Sequence, residues 1–217
     1  MLRLIAHRGF AATHPENTVR AVWLAAADAD AIEVDARRCG SGEVVAIHDE
    51  TVDRVTDGTG AVADLTAEEL AELSVQRSGA GVPTLEAVAA AVPAGVGLVV
   101  ELKEPGLASA VLEAVAGVDD LVVCSFLPAA LRQCRAVDPD VALALNVVEA
   151  TGLEEALDLG CAGVQPNVEA CSPGFVQQAH EASLRVTPWT VEDRETARAL
   201  RASGVDGIIA DRADVDG

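Results

Sequence analysis

The chain has 217 residues, half of them hydrophobic, with 35 acidic and 15 basic side chains and a formal net charge of -20. That length suits a single domain with a sizeable core. The charge argues against nucleic acid and against an anionic membrane surface as partners, because both call for a basic footprint.

In chain order, short apolar runs that read as strands fall at 2–7, 31–35, 97–102, 121–125, 141–146, 162–165, 185–188 and 207–210. Between them, residues 17–27, 84–92, 107–116, 128–137, 153–159, 173–182 and 191–202 read as helices. Thr66-Ala67-Glu68-Glu69 has the form of a capping box, Thr190-Val191-Glu192-Asp193 is a weaker version, and Ser172-Pro173 places a capping serine before a proline at the first helical position. Alternating β and α units imply a parallel sheet. An open doubly wound sheet fits the same units. Eight strands in this length favour a closed (β/α)8 TIM barrel, α/β in class, as one domain over 1–217.

Residues 43–47 also read as a strand, but only 36–42 separate them from Asp35, too few for a parallel crossover. A hairpin turning at Cys39-Gly40-Ser41-Gly42 is the physical alternative. With its centre near Gly40–Ser41, Glu33 lies opposite His48. The segment is then an arm above the barrel mouth, and 50–81 form a short insertion after the second strand.

The carboxyl ends of barrel strands are where active sites form. The first strand ends in His7-Arg8-Gly9, the second in Glu33-Val34-Asp35, the third in Glu101-Leu102-Lys103, and the hairpin arm in His48-Asp49. Residues two apart on a strand share a face, so Glu33 pairs with Asp35 and Glu101 with Lys103. Three carboxylates converging there repel one another unless a cation sits among them. All-oxygen ligands favour a hard divalent ion, Mg2+ or Ca2+. His7 and His48 titrate near neutrality and suit general acid–base work. His14 and His180 lack such neighbours and are given no role. Lys103 is the single lysine of the chain, and its compact ammonium suits a phosphate oxygen, while the Arg8 fork can hold phosphate by two hydrogen bonds.

The five cysteines are odd in number and form no Cys-x-x-Cys pair, which points to reduced thiols. No run of residues is apolar enough to span a membrane, and residues 2–6 are too short for a signal-peptide core. Stable membrane insertion is therefore not expected, and a cytoplasmic location is. The acid-rich, lysine-poor, aromatic-poor composition resembles that of proteins from salt-loving organisms. The oligomeric state stays open.

Taken together, the motifs resemble the glycerophosphodiester phosphodiesterase family. They are Ile5-Ala6-His7-Arg8-Gly9, Pro15-Glu16-Asn17-Thr18, Glu33-Val34-Asp35, Val44-Val45-Ala46-Ile47-His48-Asp49, Pro83-Thr84-Leu85-Glu86, Glu101-Leu102-Lys103, Ser125-Phe126, Trp189-Thr190-Val191 and Asp206-Gly207-Ile208-Ile209-Ala210-Asp211. The resemblance implies hydrolysis of a small-molecule glycerophosphodiester to glycerol 3-phosphate and an alcohol. It implies Glu33, Asp35 and Glu101 as ligands of a divalent metal and His7 and His48 as the acid–base pair. Arg8 and Lys103 match phosphate contacts, Glu16 a residue shaping the site from behind, and Trp189 an aromatic near the alcohol. Packing at the barrel top is the equal alternative for Trp189. The chain departs from the family at Ser41-Gly42 and at Glu192. Rival readings are a phospholipase-like enzyme acting on intact lipid, and a barrel that binds a phosphorylated metabolite without cleaving it.

Overall fold

The computed structural model describes residues 2–216. In chain order the elements are β1 (Arg3–Ala6), α1 (Val19–Ala25), β2 (Ala31–Arg38), β3 (Val44–Ala46), α2 (Ala67–Glu72), α3 (Leu85–Ala91), β4 (Gly97–Leu102), α4 (Ala108–Ala114) and β5 (Leu121–Ser125). Then come α5 (Pro128–Val137), β6 (Ala142–Val147), α6 (Leu153–Asp158), β7 (Gly163–Pro166), α7 (Pro173–Glu181), β8 (Arg185–Val186), α8 (Arg194–Ala202) and β9 (Gly207–Ala210). The sheet runs β8-β7-β6-β5-β4-β2-β1-β9, with β3 paired to β2 outside that path. All the barrel pairs are parallel; β2–β3 is antiparallel.

The strands are rich in Val, Ile, Leu and Ala because both faces are covered. Outward residues such as Ile32, Val34, Val100 and Leu143 pack against the helices in the main core. Inward, Ile5, Ala31, Val99, Cys124, Ala144 and Ile209 form an apolar ring. Two residues further on, along the same face, stand His7, Glu33, Glu101, Asn146 and Asp211. The pleat therefore carries these polar groups to the barrel mouth, on top of an apolar layer.

Helix starts follow capping chemistry. Thr18, Thr84 and Ser172 each accept a hydrogen bond from a first-turn N–H. The Thr66–Glu69 capping box forms in full. The reading of Thr190 as a cap does not hold: Asp193 caps α8 and accepts from Thr196 N at 2.9 Å. Val191, fully buried, instead donates its N–H to Ile209 O and bridges to Ala210, so the chain there belongs to the sheet edge.

Two further expectations shift. The strand over 185–188 shortens to β8, since Pro188 has no N–H to continue the ladder. Single bonds bridge the seam to β9, with Asp206 N donating to Val186 O and Ile209 N to Pro188 O. The hairpin is there, but its register is one residue off: Ala36 pairs with Ala46 and Asp35 O accepts from Ile47 N, so His48 is not opposite Glu33. The turn is the three-residue loop Gly40-Ser41-Gly42, whose last residue has φ 104, a conformation open to glycine. Val45 and Ile47 then face a second core formed with Val52, Val55, Val62, Leu70 and Val82, which gives the insertion its own packing.

That second core makes a prediction. Leu70 is fully buried in it, so Leu70→Ala should destabilise the segment by about 2–5 kcal/mol. Amide exchange should speed up within residues 50–81 and stay slow in β1, β2 and β4. A uniform increase across the barrel would show that the insertion is not a separately packed unit.

Candidate active site

The mouth of the barrel holds a cavity of about 100 Å³ lined by His7, Arg8, Glu33, His48, Glu101, Lys103 and, on the far wall, Phe126 and Trp189. A larger cavity of about 370 Å³ opens at the opposite end, beside Arg3, Arg185 and Asp206. It contains neither the two histidines nor the acidic cluster, so size does not locate the chemistry here.

Glu33, Asp35 and Glu101 each offer one carboxylate oxygen within 4.8 Å of the other two. Glu33 is 2 % exposed and Asp35 fully buried. Lys103 Nζ sits between Glu101 Oε1 at 2.5 Å and Asp35 Oδ1 at 2.8 Å. Arg8 Nε lies 3.1 Å from Asp35 Oδ2. Lys103 donates a hydrogen bond to Glu101, whereas neither Asp35 Oδ1 nor Arg8 Nε is in an aligned hydrogen bond, so the two contacts to Asp35 are charge pairs. Burial pushes the Asp35 carboxyl up, but Lys103 and Arg8 outweigh it and hold it well below the usual carboxylate range. Burial, reinforced by the charge of Asp35, leaves Glu33 above that range. Glu101 is raised for the same reasons, with Lys103 opposing.

This set fits a hard cation. Glu33 Oε1 is buried and accepts no hydrogen bond among the described residues. A buried acceptor of that kind is costly without a partner. An unpartnered oxygen on a carboxylate already raised by its neighbours is a donor site short of positive charge, and the all-oxygen set matches Mg2+ or Ca2+ chemistry.

Each histidine is held through Nδ1. His7 Nδ1 is 2.6 Å from Asp211 Oδ1, and its Nε2 is 3.9 Å from Glu33 Oε2. Burial pulls the His7 imidazole down, but the bond to Asp211 and the charge of Glu33 prevail, and its pKa is above the usual value. His48 Nδ1 is 2.6 Å from Asp49 Oδ1. There burial prevails over the charge of Asp35 and the bond to Asp49, and the pKa falls. A carboxylate can only accept, so in both rings Nδ1 carries the proton and Nε2 is left free in the neutral form.

The turn after β1 is set by tight backbone geometry. Arg8, Gly9 and Phe10 all have positive φ, as does Asn17. A Cβ on Gly9 would meet Ala21 Cβ at 2.6 Å, so only glycine lets the turn lie against α1. Arg8 N donates to Glu33 Oε2 at 3.0 Å, and Arg8 Nη1 to Glu16 Oε1 at 2.9 Å. Asn17 locks Asp35 from both sides, donating Nδ2 to Oδ2 at 2.7 Å and accepting from Asp35 N at 3.0 Å.

The structure thus brings His7, Arg8, Glu33, Asp35, His48, Glu101 and Lys103 together, with Glu16 buried behind Arg8. Trp189 packs at the barrel top and also faces the cavity. Its Nε1 donates to Gln165 O at 2.7 Å and its ring meets Phe126 edge-on at 5.3 Å, yet it still lines the cavity. His180 bonds Asp206 outside the cavity, and His14 does not line it either. Glu192 is exposed on the chain ahead of α8. None of residues 50–81 lines the cavity. Asp211, Asn17, Asp49 and Arg54 escaped notice as site residues. The first three lie within motifs already singled out. Arg54 follows Asp49 by five residues, and nothing local marks it.

Comparison with known proteins agrees with this geometry. The model of the glycerophosphoryl diester phosphodiesterase family matches residues 7–215. The chain belongs to that family. A glycerophosphodiester phosphodiesterase of Caldanaerobacter subterraneus is 32% identical over 96% of this chain and 93% of its own length. A phosphodiesterase of Oleispira antarctica, solved in complex with the product sn-glycerol-3-phosphate, superposes with a TM-score of 0.92 at 27% identity, over 99% of this chain and 95% of that one. A glycerophosphodiester phosphodiesterase of Agrobacterium tumefaciens gives a TM-score of 0.86 at 27% identity, with 99% of each chain covered. The eight-stranded barrel is the fold these family members share.

A pH prediction follows from Asp49. The hydrogen bond from Arg54 is the main cause that holds its carboxyl down at about 2. A folded pKa below the unfolded one stabilises the fold fully above about pH 3.9, and that contribution is lost as pH falls towards about 2. Asp49→Asn should therefore flatten the loss of urea stability between about pH 5 and about pH 2. Parallel curves for variant and parent would refute this.

Proposed function

We propose that this family member hydrolyses small glycerophosphodiesters to glycerol 3-phosphate and an alcohol, by two-histidine acid–base chemistry at a divalent-metal centre. The observation that carries the reading is the convergence of three carboxylates, two carboxylate-held imidazoles and two cationic side chains at one barrel mouth. Glu33, Asp35 and Glu101 would hold Mg2+ or Ca2+. Such an ion supplies Lewis acidity and a template for phosphate and glycerol oxygens.

The protein's own groups do the rest. Arg8 and Lys103 face the phosphoryl group and stabilise the charge that grows on its oxygens. One histidine accepts through Nε2 the proton of the nucleophile, either water itself or a glycerol hydroxyl whose cyclic phosphate water then opens, and the other gives a proton to the leaving alcohol oxygen as its bond to phosphorus breaks. Asp211 and Asp49 fix the tautomer each ring needs. Trp189 and Phe126 wall the side where the alcohol leaves. The rest of the chain serves as one barrel domain, and its acid-rich surface suits a cytoplasm of high salt, where screening weakens long-range repulsion of an anionic substrate.

A second reading, action on intact lipid, draws on Phe126, Leu127 and Val148, which stand 38%, 36% and 63% exposed after β5 and β6. Soluble glycerophosphocholine assayed against vesicles separates the two.

His7→Ala and His48→Ala should each lower kcat by about 10²–10⁴-fold with unchanged circular dichroism. Chelation should abolish turnover, and added Mg2+ or Ca2+ should restore it. Near-normal activity in both histidine variants, or turnover indifferent to chelator, would reject the mechanism.

A further inference from the structure

We infer that Arg54 is a positioning residue of this reaction, clamping Asp49 to the buried Glu16 and so holding His48 in its working orientation. The inference rests on the functional reading above. Arg54 does not line the cavity, so an effect on turnover travels through its partners.

The geometry is a double fork. Arg54 Nε and Nη2 donate to Asp49 Oδ2 and Oδ1 at 2.5 and 3.2 Å. Arg54 Nη1 and Nη2 donate to Glu16 Oε2 and Oε1 at 3.0 and 2.9 Å. Asp49 is gripped side-on and Glu16 end-on, each by two bonds from one planar group, an arrangement open to guanidinium and closed to ammonium. Asp49 Oδ1, the atom that takes Arg54 Nη2, is also the atom that takes His48 Nδ1 at 2.6 Å. If Asp49 turns, the imidazole loses its partner and its tautomer is free.

The anchor end is firm. Glu16 is 5% exposed, and it is also held by Arg8 at 2.9 Å. Arg54 itself is half exposed, but Val52 and Val55 on either side of it are buried in the insertion core. His48 needs such a clamp because it lies at the end of the hairpin arm, past β3, where no barrel ladder fixes it. The bonds that Arg54 makes to Glu16 and Asp49 hold its guanidinium charged, and the Arg54 bond is the first cause that keeps Asp49 ionised. The insertion thus contributes to the site without covering it.

The test uses the full chain with its divalent ion, glycerophosphocholine as substrate, and the variants Arg54→Gln, Arg54→Lys, Asp49→Ala and Arg54→Gln/Asp49→Ala. Arg54→Gln should lower kcat by roughly 10- to 100-fold, the scale of a misplaced catalytic group, with KM changing far less. Arg54→Lys, which keeps the charge but not the fork, should fall between Arg54→Gln and the parent. It serves as the readable variant should the glutamine protein not fold. In the Asp49→Ala background, Arg54→Gln should cost far less than it does alone, because the path is already cut.

Independent of turnover, the downfield Nδ1–H proton signal of His48 should be sharp in the parent and exchange-broadened in Arg54→Gln. Parent-like kcat with the signal retained would overturn the inference. So would losses from Arg54→Gln and Asp49→Ala that multiply in full. A parent chain that cleaves no glycerophosphodiester would sink the functional reading instead, and the His48 signal alone would then decide the clamp.

Discussion

The constraint on which the rest depends is electrostatic. Three carboxylates lie within 4.8 Å of one another above an apolar plug. At an effective dielectric near 20, each such pair repels by about 3–4 kcal/mol, so the trio costs on the order of 10 kcal/mol. That is comparable to the whole net stability of a domain of this size. The fold therefore tolerates the cluster only because cations are built into it. Lys103 bridges Glu101 and Asp35, Arg8 flanks Asp35, and Asn17 occupies the remaining face of Asp35. Glu33 is the member left short, and its raised pKa and idle oxygen mark where further positive charge belongs.

This accounts for the placing of three basic residues. A chain at -20 has few cations to place, and Lys103, Arg8 and Arg54 are all spent within one connected network. Lys103 lies against the carboxylates as well as lining the cavity. In the proposed mechanism, contact with phosphate and compensation of Asp35 are therefore competing demands on one ammonium. A divalent ion held by Glu33, Asp35 and Glu101 would relieve that competition by neutralising the carboxylates.

Much of this was legible because period-2 geometry is a local rule. Once Glu33, Asp35, Glu101 and Lys103 were assigned to strand ends, their convergence followed from the barrel. What was not legible depends on contacts that no local rule encodes. The slip of the hairpin by one residue turns on whether the loop centres on Ser41, which only packing of Val45 and Ile47 into the second core decides. Asp193 displaced Thr190 as a helix cap because Val191 was claimed by the sheet edge. Asp211 was visible as a strand end, but its pairing with His7 needs the last strand to lie beside the first, 204 residues away. Arg54 had no signal at all: an arginine in a polar insertion is ordinarily a solvated side chain.

The two histidines illustrate how differently one site can be supported. His7 follows a barrel strand hydrogen-bonded on both sides, and its orienting Asp211 follows the adjacent strand. Its precision comes with the core. His48 follows β3, three residues long and held in ladder only to β2, with Ala46 N reaching Pro83 O on the other edge. For the acid–base role proposed above, that arm alone holds the ring too loosely. Arg37 Nε, bonded to His48 O at 2.8 Å, fixes the backbone. Asp49 fixes the ring, and Asp49 in turn needs fixing. If His48 is the reactive imidazole proposed above, a hairpin this short needs an element outside the barrel to complete its support, and the Arg54 fork gives a packed insertion that does not line the cavity a physical role beside it.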